Sequence, residues 1–447
     1  MSEWASGTLA DAIASLDAGV SVNAEDRPHG AGEIGVLKTS AISGGAFRTE
    51  QNKAVLQHER RLVAEPVQAD SILVSRMNTP ALVGESCYVR EAHPTLFLPD
   101  RLWQLKPRDR AQLNMRWLSF VLQSADYRRY VEVHATGTSG SMKNLPKSKL
   151  LALPVRYPEP AEQSVIAQIL DTLDTAIRAT EALIDKLKAV KQGLLHDMLT
   201  RGIDSNGQLR PPQSEAPQLY KESPLGWIPR EWEVGIFGDM IGHIIDFRGR
   251  TPKKLGMDWG GGNILALSAN NVQPGGIDVS REAYFGSERL YQKWMTSGDT
   301  QKGDVLLTME APLGNVAQIP DEEKYILSQR VIAMRFKSTV ILNDFAFWQM
   351  QSQLFQQAMV RRSTGSTATG IKRAELVKLY FRAPPVSEQS LIAARLFSID
   401  QVLSDESASL GKQKKEKVGL MDDLLTGRER VTPLLESVQQ AATQTGA

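Results

Sequence analysis

The sequence predicts an α+β chain: two domains of mixed strands and helices, separated by two long helices that form an intramolecular antiparallel coiled coil, with pseudo-two-fold organisation. Three observations predict it. Residues 150–200 align without a gap on residues 376–426, 226 positions later, with 20 of 51 pairs identical, Glu162-Gln163-Ser164 and Glu388-Gln389-Ser390 among them. A second echo links the starts of the halves, where Trp4, Gly7, Asp11 and Ile13 recur as Trp232, Gly235, Asp239 and Ile241. The aligned segments also carry apolar residues at alternating spacings of three and four, the pattern of a coiled-coil seam.

The first block, residues 1–155, reads as short strands and turns with some helix. Residues 33–42 and 70–74 alternate or cluster apolar residues at strand length, with Gly44-Gly45 and Asn78-Thr79-Pro80 as turn signals. The second block, 211–383, repeats these landmarks at residues 262–272 and 303–307. Amphipathic helices are expected over 116–130 and 345–360, closing on Arg128-Arg129 and Arg361-Arg362 and running into Thr-Gly-rich turns. The helical segments, with linker, occupy 156–210 and 384–430, Asp204-Ser205-Asn206-Gly207 with Pro211-Pro212 reading as the linker to the second block; a tail follows over 431–447. Prolines 158, 160, 384 and 385 mark the helix starts, where a missing amide and a fixed torsion favour a boundary.

The first seam runs through Leu170, Leu173, Ile177, Thr180, Ile184, Leu187, Lys191, Leu194 and Met198. The second runs through Leu396, Ile399, Leu403, Glu406, Leu410, Gln413, Lys417, Leu420 and Leu424. Polar residues within a seam weaken a zipper while fixing its register and partner. A run of some 40 residues extends about 60 Å, longer than a helix needs to cover a domain of 150 residues, so pairing of the two helices is favoured over each lying on its own block.

Composition is that of an ordinary globular chain, with 447 residues, 42% hydrophobic, and a net charge of +1. No apolar run is long enough for a membrane span and the N-terminus lacks a signal-peptide pattern, so a cytoplasmic protein with no membrane partner is expected. The single cysteine, Cys87, excludes an internal disulfide and a cysteine-cluster zinc site and reads as a small core residue. The six histidines never fall at metal-ligand spacing, and no metal site is expected. There is no phosphate-binding Gly-x-x-x-x-Gly-Lys-Ser/Thr loop, no dinucleotide fingerprint, no Asn/Asp-Pro-Pro-Tyr/Phe of an amino-methyltransferase and no nuclease-like acidic pair. The chain is therefore expected to have no catalytic residue and to bind no cofactor.

Polar and basic residues gather instead at the ends of the two blocks. Arginine bonds guanine edges in bidentate fashion, asparagine and glutamine bond adenine, and serine, threonine and lysine hold phosphates. The candidates are Arg76 and Asn78; Arg128, Arg129, Thr138, Ser139 and Lys143; Arg248, Arg250 and Lys253; Asn270, Asn271 and Gln273; and Arg361, Arg362, Ser363, Thr367 and Lys372. An exposed arginine is more often a solvated surface charge than a base reader, and the Thr-Gly turns serve equally well as joints or as phosphate contacts. Because no segment is strongly basic, a DNA-binding role requires positive charge concentrated on one face or phosphate contacts shared with a partner.

Thr-Gly-Ser-Thr-Ala-Thr-Gly-Ile at 364–371, then Leu376, Leu379, Pro384-Pro385, Glu388-Gln389, Ile392-Ala393 and a heptad helix closing on Leu424-Leu425-Thr426-Gly427, resembles the specificity (S) subunit of type I restriction-modification systems. Residues 136–200 repeat the pattern more loosely, with Met142 in place of Ile and Tyr157-Pro158-Glu159-Pro160 in place of the double proline. The resemblance implies that the blocks are target recognition domains, each reading half of a bipartite double-stranded DNA sequence, and that the helices set the spacing. It also implies partners: two methyltransferase subunits carrying S-adenosylmethionine, which flip the target adenine, and two restriction subunits working with ATP and magnesium. A coiled-coil scaffold that binds only protein, or the specificity module of a related restriction system, are the competing readings.

Overall fold

The structure is a computed structural model that describes residues 4–137, 141–281, 283–365 and 369–431. The chain forms two compact units, Met1–Glu181 with Ala408–Ala447, and Ala182–Ser407.

In the first unit, strands β1 (Ile13–Ala18), β2 (Gly35–Leu37), β3 (Asn52–Val55), β4 (Ser71–Ser75), β5 (Ser86–Val89), β6 (His93–Phe97) and β7 (Leu102–Pro107) build two sheets. One has the order β5-β4-β7-β1 and is antiparallel throughout. The other contains β3-β2-β6, with β6 parallel to β2. Strand β4 reads as an uninterrupted apolar run because both of its faces are covered. Ile72 and Val74 enter the core shared with the helices, while Leu73 enters a second core with Cys87 and Val89. Successive side chains of a strand point to opposite faces, so one five-residue strand serves both cores.

Helices α1 (Met115–Val121), α2 (Ala125–His134) and α3 (Pro160–Thr200) follow. The helix expected over 116–130 is thus two. Ser124 stops the first and caps the second, its Oγ accepting the Tyr127 amide at 3.2 Å. A serine hydroxyl that competes for backbone amides favours such a restart over a continuous helix.

The second unit repeats the arrangement. Strands β8 (Ile241–Asp246), β9 (Ile264–Leu267), β10 (Tyr284–Gly286), β11 (Val305–Met309), β12 (Leu313–Gln318), β13 (Tyr325–Leu327) and β14 (Val331–Phe336) form the sheets β8-β14-β11-β12 and β10-β9-β13, with β13 parallel to β9. Strand β11 again divides between two cores, Val305, Leu307 and Met309 in one and Leu306 in the other. Helix α4 (Glu288–Trp294) lies within this unit. The helix expected over 345–360 is also two, α5 (Asn343–Gln351) and α6 (Gln353–Arg361), broken at Ser352, whose Oγ caps Phe355. Last comes α7 (Val386–Thr426).

The two long helices run antiparallel within each unit. In the first, Lys417 pairs with Asp174 at 2.5 Å and Lys414 with Glu181 at 2.7 Å. In the second, Lys191 pairs with Asp400. Lys191 and Lys417 are aligned residues of the repeat, as are Asp174 and Asp400, so the second contact is the first with the helices exchanged. Each lysine also lies over an aromatic face, Lys417 at 5.6 Å from Phe120 and Lys191 at 5.1 Å from Trp348. All eighteen seam positions are buried or half-buried, whereas Ala182, Lys186, Lys188, Ser404 and Lys412 beside them are exposed.

The repeated Glu-Gln pair explains itself at the helix starts. Gln163 accepts the Asn114 amide at 2.8 Å and donates to the Pro158 and Gln112 carbonyls; Gln389 accepts the Leu342 amide at 2.8 Å and donates to Pro384 and Val340. Glu162 receives the Trp4 indole N–H at 3.0 Å and both a 2.7 Å and a 2.8 Å bond from Arg430, which lies beyond the end of α7. Glu388 receives the Ile203 amide at 2.8 Å and bonds of 2.5 and 3.1 Å from Arg210, which lies beyond the end of α3. The segment over 204–212, expected to be a linker, is therefore folded: Ile203 bridges to Leu209, and Arg210 is only 8% exposed. The opposite helix ends are held alike, Arg156 donating to the Thr426 carbonyl and Arg382 to that of Leu199. Burial brings Arg382 down to about 10, which leaves it cationic at neutral pH.

Glu388→Ala should destabilise the protein by about 3–5 kcal/mol, because it strands the Arg210 charge in a buried setting. Urea denaturation checks this, and a loss below about 1 kcal/mol would mean that Arg210 finds water instead.

Candidate nucleic-acid interface

In the first unit, four of the candidate residues converge on one edge. Asn78 and Lys143 are strand partners. The Arg76 carbonyl accepts the Leu145 amide at 2.8 Å, and the Arg76 guanidinium lies 5.4 Å from the Trp103 ring. Arg128 donates to the carbonyls of Pro80 at 2.7 Å and Val83 at 2.8 Å, so it holds the 79–84 loop in place. Lys143 Nζ reaches the Gly137 carbonyl at 3.3 Å. Arg129 is exposed and pairs with Asp126 on its own helix. Thr138 and Ser139 lie outside the described residues.

The second unit separates its candidates into committed and presented groups. Arg248 grips Asp246 with bonds of 2.9 and 2.7 Å. Burial opposes the Asp246 charge, but the hydrogen bonds from Arg248 outweigh it, so the carboxyl titrates below its usual range; the same contact raises Arg248. Arg250 donates to the Trp294 carbonyl and to Thr296 Oγ1, and stacks 4.7 Å from Phe247. Asn271 is 0% exposed, and its Oδ1 accepts both the Ser268 amide and the Ser268 hydroxyl. Through these bonds it braces the 268–278 turn. Gln273 closes the same turn by donating to the Asn270 carbonyl at 2.8 Å. Arg362 pairs with Glu375 at 3.4 Å. Lys253, Arg361 and Lys372 are exposed, with no ion pair to another described residue.

The Thr-Gly turns have structural stems. Thr364 and Gly370 exchange backbone bonds of 2.9 and 3.0 Å, and the Ile371 amide bonds the Met309 carbonyl at 3.0 Å. Thr136 pairs with Asn144 in the same manner. These stems join each helix pair to the end of a central strand; Thr367 lies outside the described residues.

A cleft of about 470 Å³ opens in the second unit, where Arg250, Lys253 and Asn270 meet Trp259, Tyr284 and Arg330. Trp259 and Tyr284 stack at 5.8 Å with an interplanar angle of 28°. Aromatic faces beside cations and an amide provide the surfaces that nucleic acids engage. Sequence reasoning found the first three residues and missed the other three. Trp259 follows no motif, Tyr284 lies in a strand of ordinary pattern, and Arg330 occupies a turn of no diagnostic spacing. In the first unit a second concavity of about 470 Å³ runs beside α3, lined by Asn114, Arg116, Ser164 and Asp171. Arg116 there bridges Asp171 at 2.6 Å and Asp174 at 3.0 Å.

Among the described residues no group of three or more histidine, cysteine or carboxylate side chains could hold a metal ion, and no helix is long and apolar enough to cross a membrane. Cys87 is fully buried, and burial pushes its thiol well above the ordinary range, so it is no nucleophile.

Comparison with known proteins places similarity over most of the chain. The model of the type I restriction modification DNA specificity domain matches residues 1–189 and 229–412. The type I restriction enzyme MjaVIII specificity subunit of Methanocaldococcus jannaschii is 26% identical over 287 residues, 63% of this chain and 63% of that protein. The putative MjaX specificity subunit of the same organism is 23% identical over 368 residues, 80% of this chain and 78% of that one. Among solved structures, the type I restriction-modification S subunit from M. genitalium shares the fold with a TM-score of 0.58 at 15% identity, over 94% of this chain and 96% of its own. A chain from the structural study of complex assembly and conformational transition of the type I R-M system has a TM-score of 0.52 at 13% identity, covering 95% and 98% of the respective chains.

The contrast between braced and presented residues is measurable. Asn271→Ala should cost about 1–3 kcal/mol by leaving buried partners unsatisfied, whereas Lys253→Ala should change stability by no more than about 0.5 kcal/mol. Chemical denaturation of the two variants distinguishes them, and equal effects would refute the division.

Proposed function

The chain belongs to the type I restriction-modification DNA specificity family, and from that membership we propose that it is the DNA-recognition subunit of such an enzyme, each unit reading one half of a bipartite double-stranded target. The observation that carries this reading is the repetition itself: two units with the same strand order and reciprocal helix contacts, but different residues at the edges where candidate contacts gather. Such a chain suits a target of two unlike halves. The paired helices would set the spacing between the halves and dock two methyltransferase subunits, with two restriction subunits completing the complex. S-adenosylmethionine would be supplied by the methyltransferase subunits, and ATP and magnesium would act on the restriction subunits; this chain binds and orients DNA and performs no chemistry on it.

Charge supports a shared interface. Overall charge is only +1, and Arg128, Arg248 and Arg250 spend their guanidinium groups on the protein itself. Of the candidate residues, Lys253, Arg361 and Lys372 are exposed with no ion pair to another described residue, fewer than the roughly six to ten phosphate contacts of a typical strong DNA complex. Partner subunits would provide the remainder.

Co-expression with the cognate methyltransferase subunit, followed by mapping of adenine methylation on naive DNA, should yield a two-part motif with one modified adenine in each half. A continuous motif, or none, would overturn the reading. The spacing role has its own check. Adding one heptad at matched positions of α3 and α7 lengthens the helices by about 10 Å, near three base pairs at about 3.4 Å each. The unread spacer in the methylated motif should widen accordingly, and an unchanged spacer would remove the helices from that role.

A further inference from the structure

We infer that Arg330, with Gln329 beside it, contacts base edges for the second unit, and that Arg101, with Asp100 beside it, is its counterpart in the first. This rests on the DNA-reading function proposed above and names residues for it.

The two arginines occupy one structural position. Arg101 sits in the turn between β6 and β7, Arg330 in the turn between β13 and β14. In both units the first of these strands lies parallel to its neighbour in one sheet, and the second enters the other sheet. Each turn is anchored by the arginine's own carbonyl, which accepts an amide from the end of the central strand: Arg76 N–H at 3.0 Å for Arg101, Met309 N–H at 2.7 Å for Arg330. The turns thus stand on the most deeply buried strands of each unit, which suits a contact that must hold its position.

Both side chains are exposed, and neither has an ion pair with another described residue. Their neighbours behave differently, since Arg250 and Arg248 are bonded internally. Arg330 also adopts φ = +67°, a left-handed backbone that favours glycine or asparagine. A strained arginine whose side chain makes no hydrogen bond or ion pair with another described residue is a candidate for an external contact. It borders the 470 Å³ cleft where Trp259 and Tyr284 stack.

The adjacent residues differ in a way that fits two unlike half-sites. Gln329 has an amide that can pair with adenine, and it is steadied by a 3.3 Å bond to the Arg250 carbonyl. Asp100 can only accept when ionised, as from cytosine, and it already receives the Ser21 hydroxyl at 2.5 Å. A shared arginine beside a different reader would give each unit a common anchor and a separate preference.

The test uses the full chain co-expressed with its methyltransferase subunit, with adenine methylation mapped genome-wide for the wild type, Arg330→Ala, Arg330→Lys, Arg101→Ala and Arg101→Lys. Alanine removes the guanine contact, whereas lysine keeps the charge and can still donate to guanine O6 and N7 without arginine's rigid planar fork. Arg330→Ala should relax discrimination about tenfold or more at one position of one half-site, with Arg330→Lys intermediate, leaving the other half unchanged; the Arg101 variants should do the same to the opposite half. A wild-type motif in the alanine variants, a uniform loss of methylation with discrimination unchanged, or equal relaxation in both halves would overturn the assignment. Arg330→Gly, which relieves the left-handed backbone, replaces Arg330→Ala if the latter melts at a lower temperature. A wild-type complex that methylates no two-part motif would overturn the DNA-reading function itself, whereas a wild-type bipartite motif with unaltered variants would overturn only this assignment.

Discussion

The structure depends on a buried carboxylate at the start of each long helix, satisfied by an arginine from beyond the end of the other. Glu162 and Glu388 are 3% and 7% exposed, too deep to remain charged without partners. Each sits in the first turn of its helix, where the helix dipole favours a negative charge. Arg430 and Arg210 complete the requirement. The buried pairs add less to stability than their geometry suggests, because desolvation consumes much of the attraction. Their effect is to specify: only antiparallel helices in one register place each arginine against a glutamate. The lysine-aspartate pairs farther along, Lys417 with Asp174 and Lys191 with Asp400, agree with the same register. The two ends are not identical. The Trp4 indole bonds Glu162, while the Trp232 indole has no hydrogen-bond partner among the described residues.

The repeat, the seam and the strand-length apolar runs were legible because each is a periodic pattern that burial imposes on the chain. The glutamate partners were not. Arg210 and Arg430 fall outside the aligned segments, and nothing in their local sequence distinguishes them from solvated arginines. For the same reason 204–212 read as a linker, its glycines and prolines being the signals of a turn whether or not that turn is packed. Ser124 and Ser352 broke helices whose apolar periodicity continues through them, since a capping hydroxyl adds no hydrophobic signal. At the interface, residue type alone could not separate Asn271, sealed in a turn, from Asn270 on the surface. Both are amides in the same loop, and only burial tells them apart.

Arginine serves three different purposes in this chain. Arg128 and Arg382 tie carbonyls that would otherwise be unsatisfied. Arg210 and Arg430 neutralise buried carboxylates. Arg101, Arg330 and Arg361 face solvent. The planar guanidinium with five donors suits all three settings, which is why a count of basic residues says little about nucleic-acid affinity. The near-neutral charge of the chain is 52 basic residues against 51 acidic ones, and it does not tell the paired arginines from the presented ones.

The order in which the units can be completed is set by how the chain is shared between them. The second unit is one uninterrupted stretch, 182–407, so all of its core is available before the last helix has been fully synthesised. The first unit waits. Its core includes Met421, Leu424 and Val431, contributed from hundreds of residues later, and such distant contacts carry a loop-closure cost that slows their formation. During synthesis the part of the first unit's core that Met421, Leu424 and Val431 complete must therefore stay open until the last helix has been made, and a lesion in that helix would be felt in the unit that was made first.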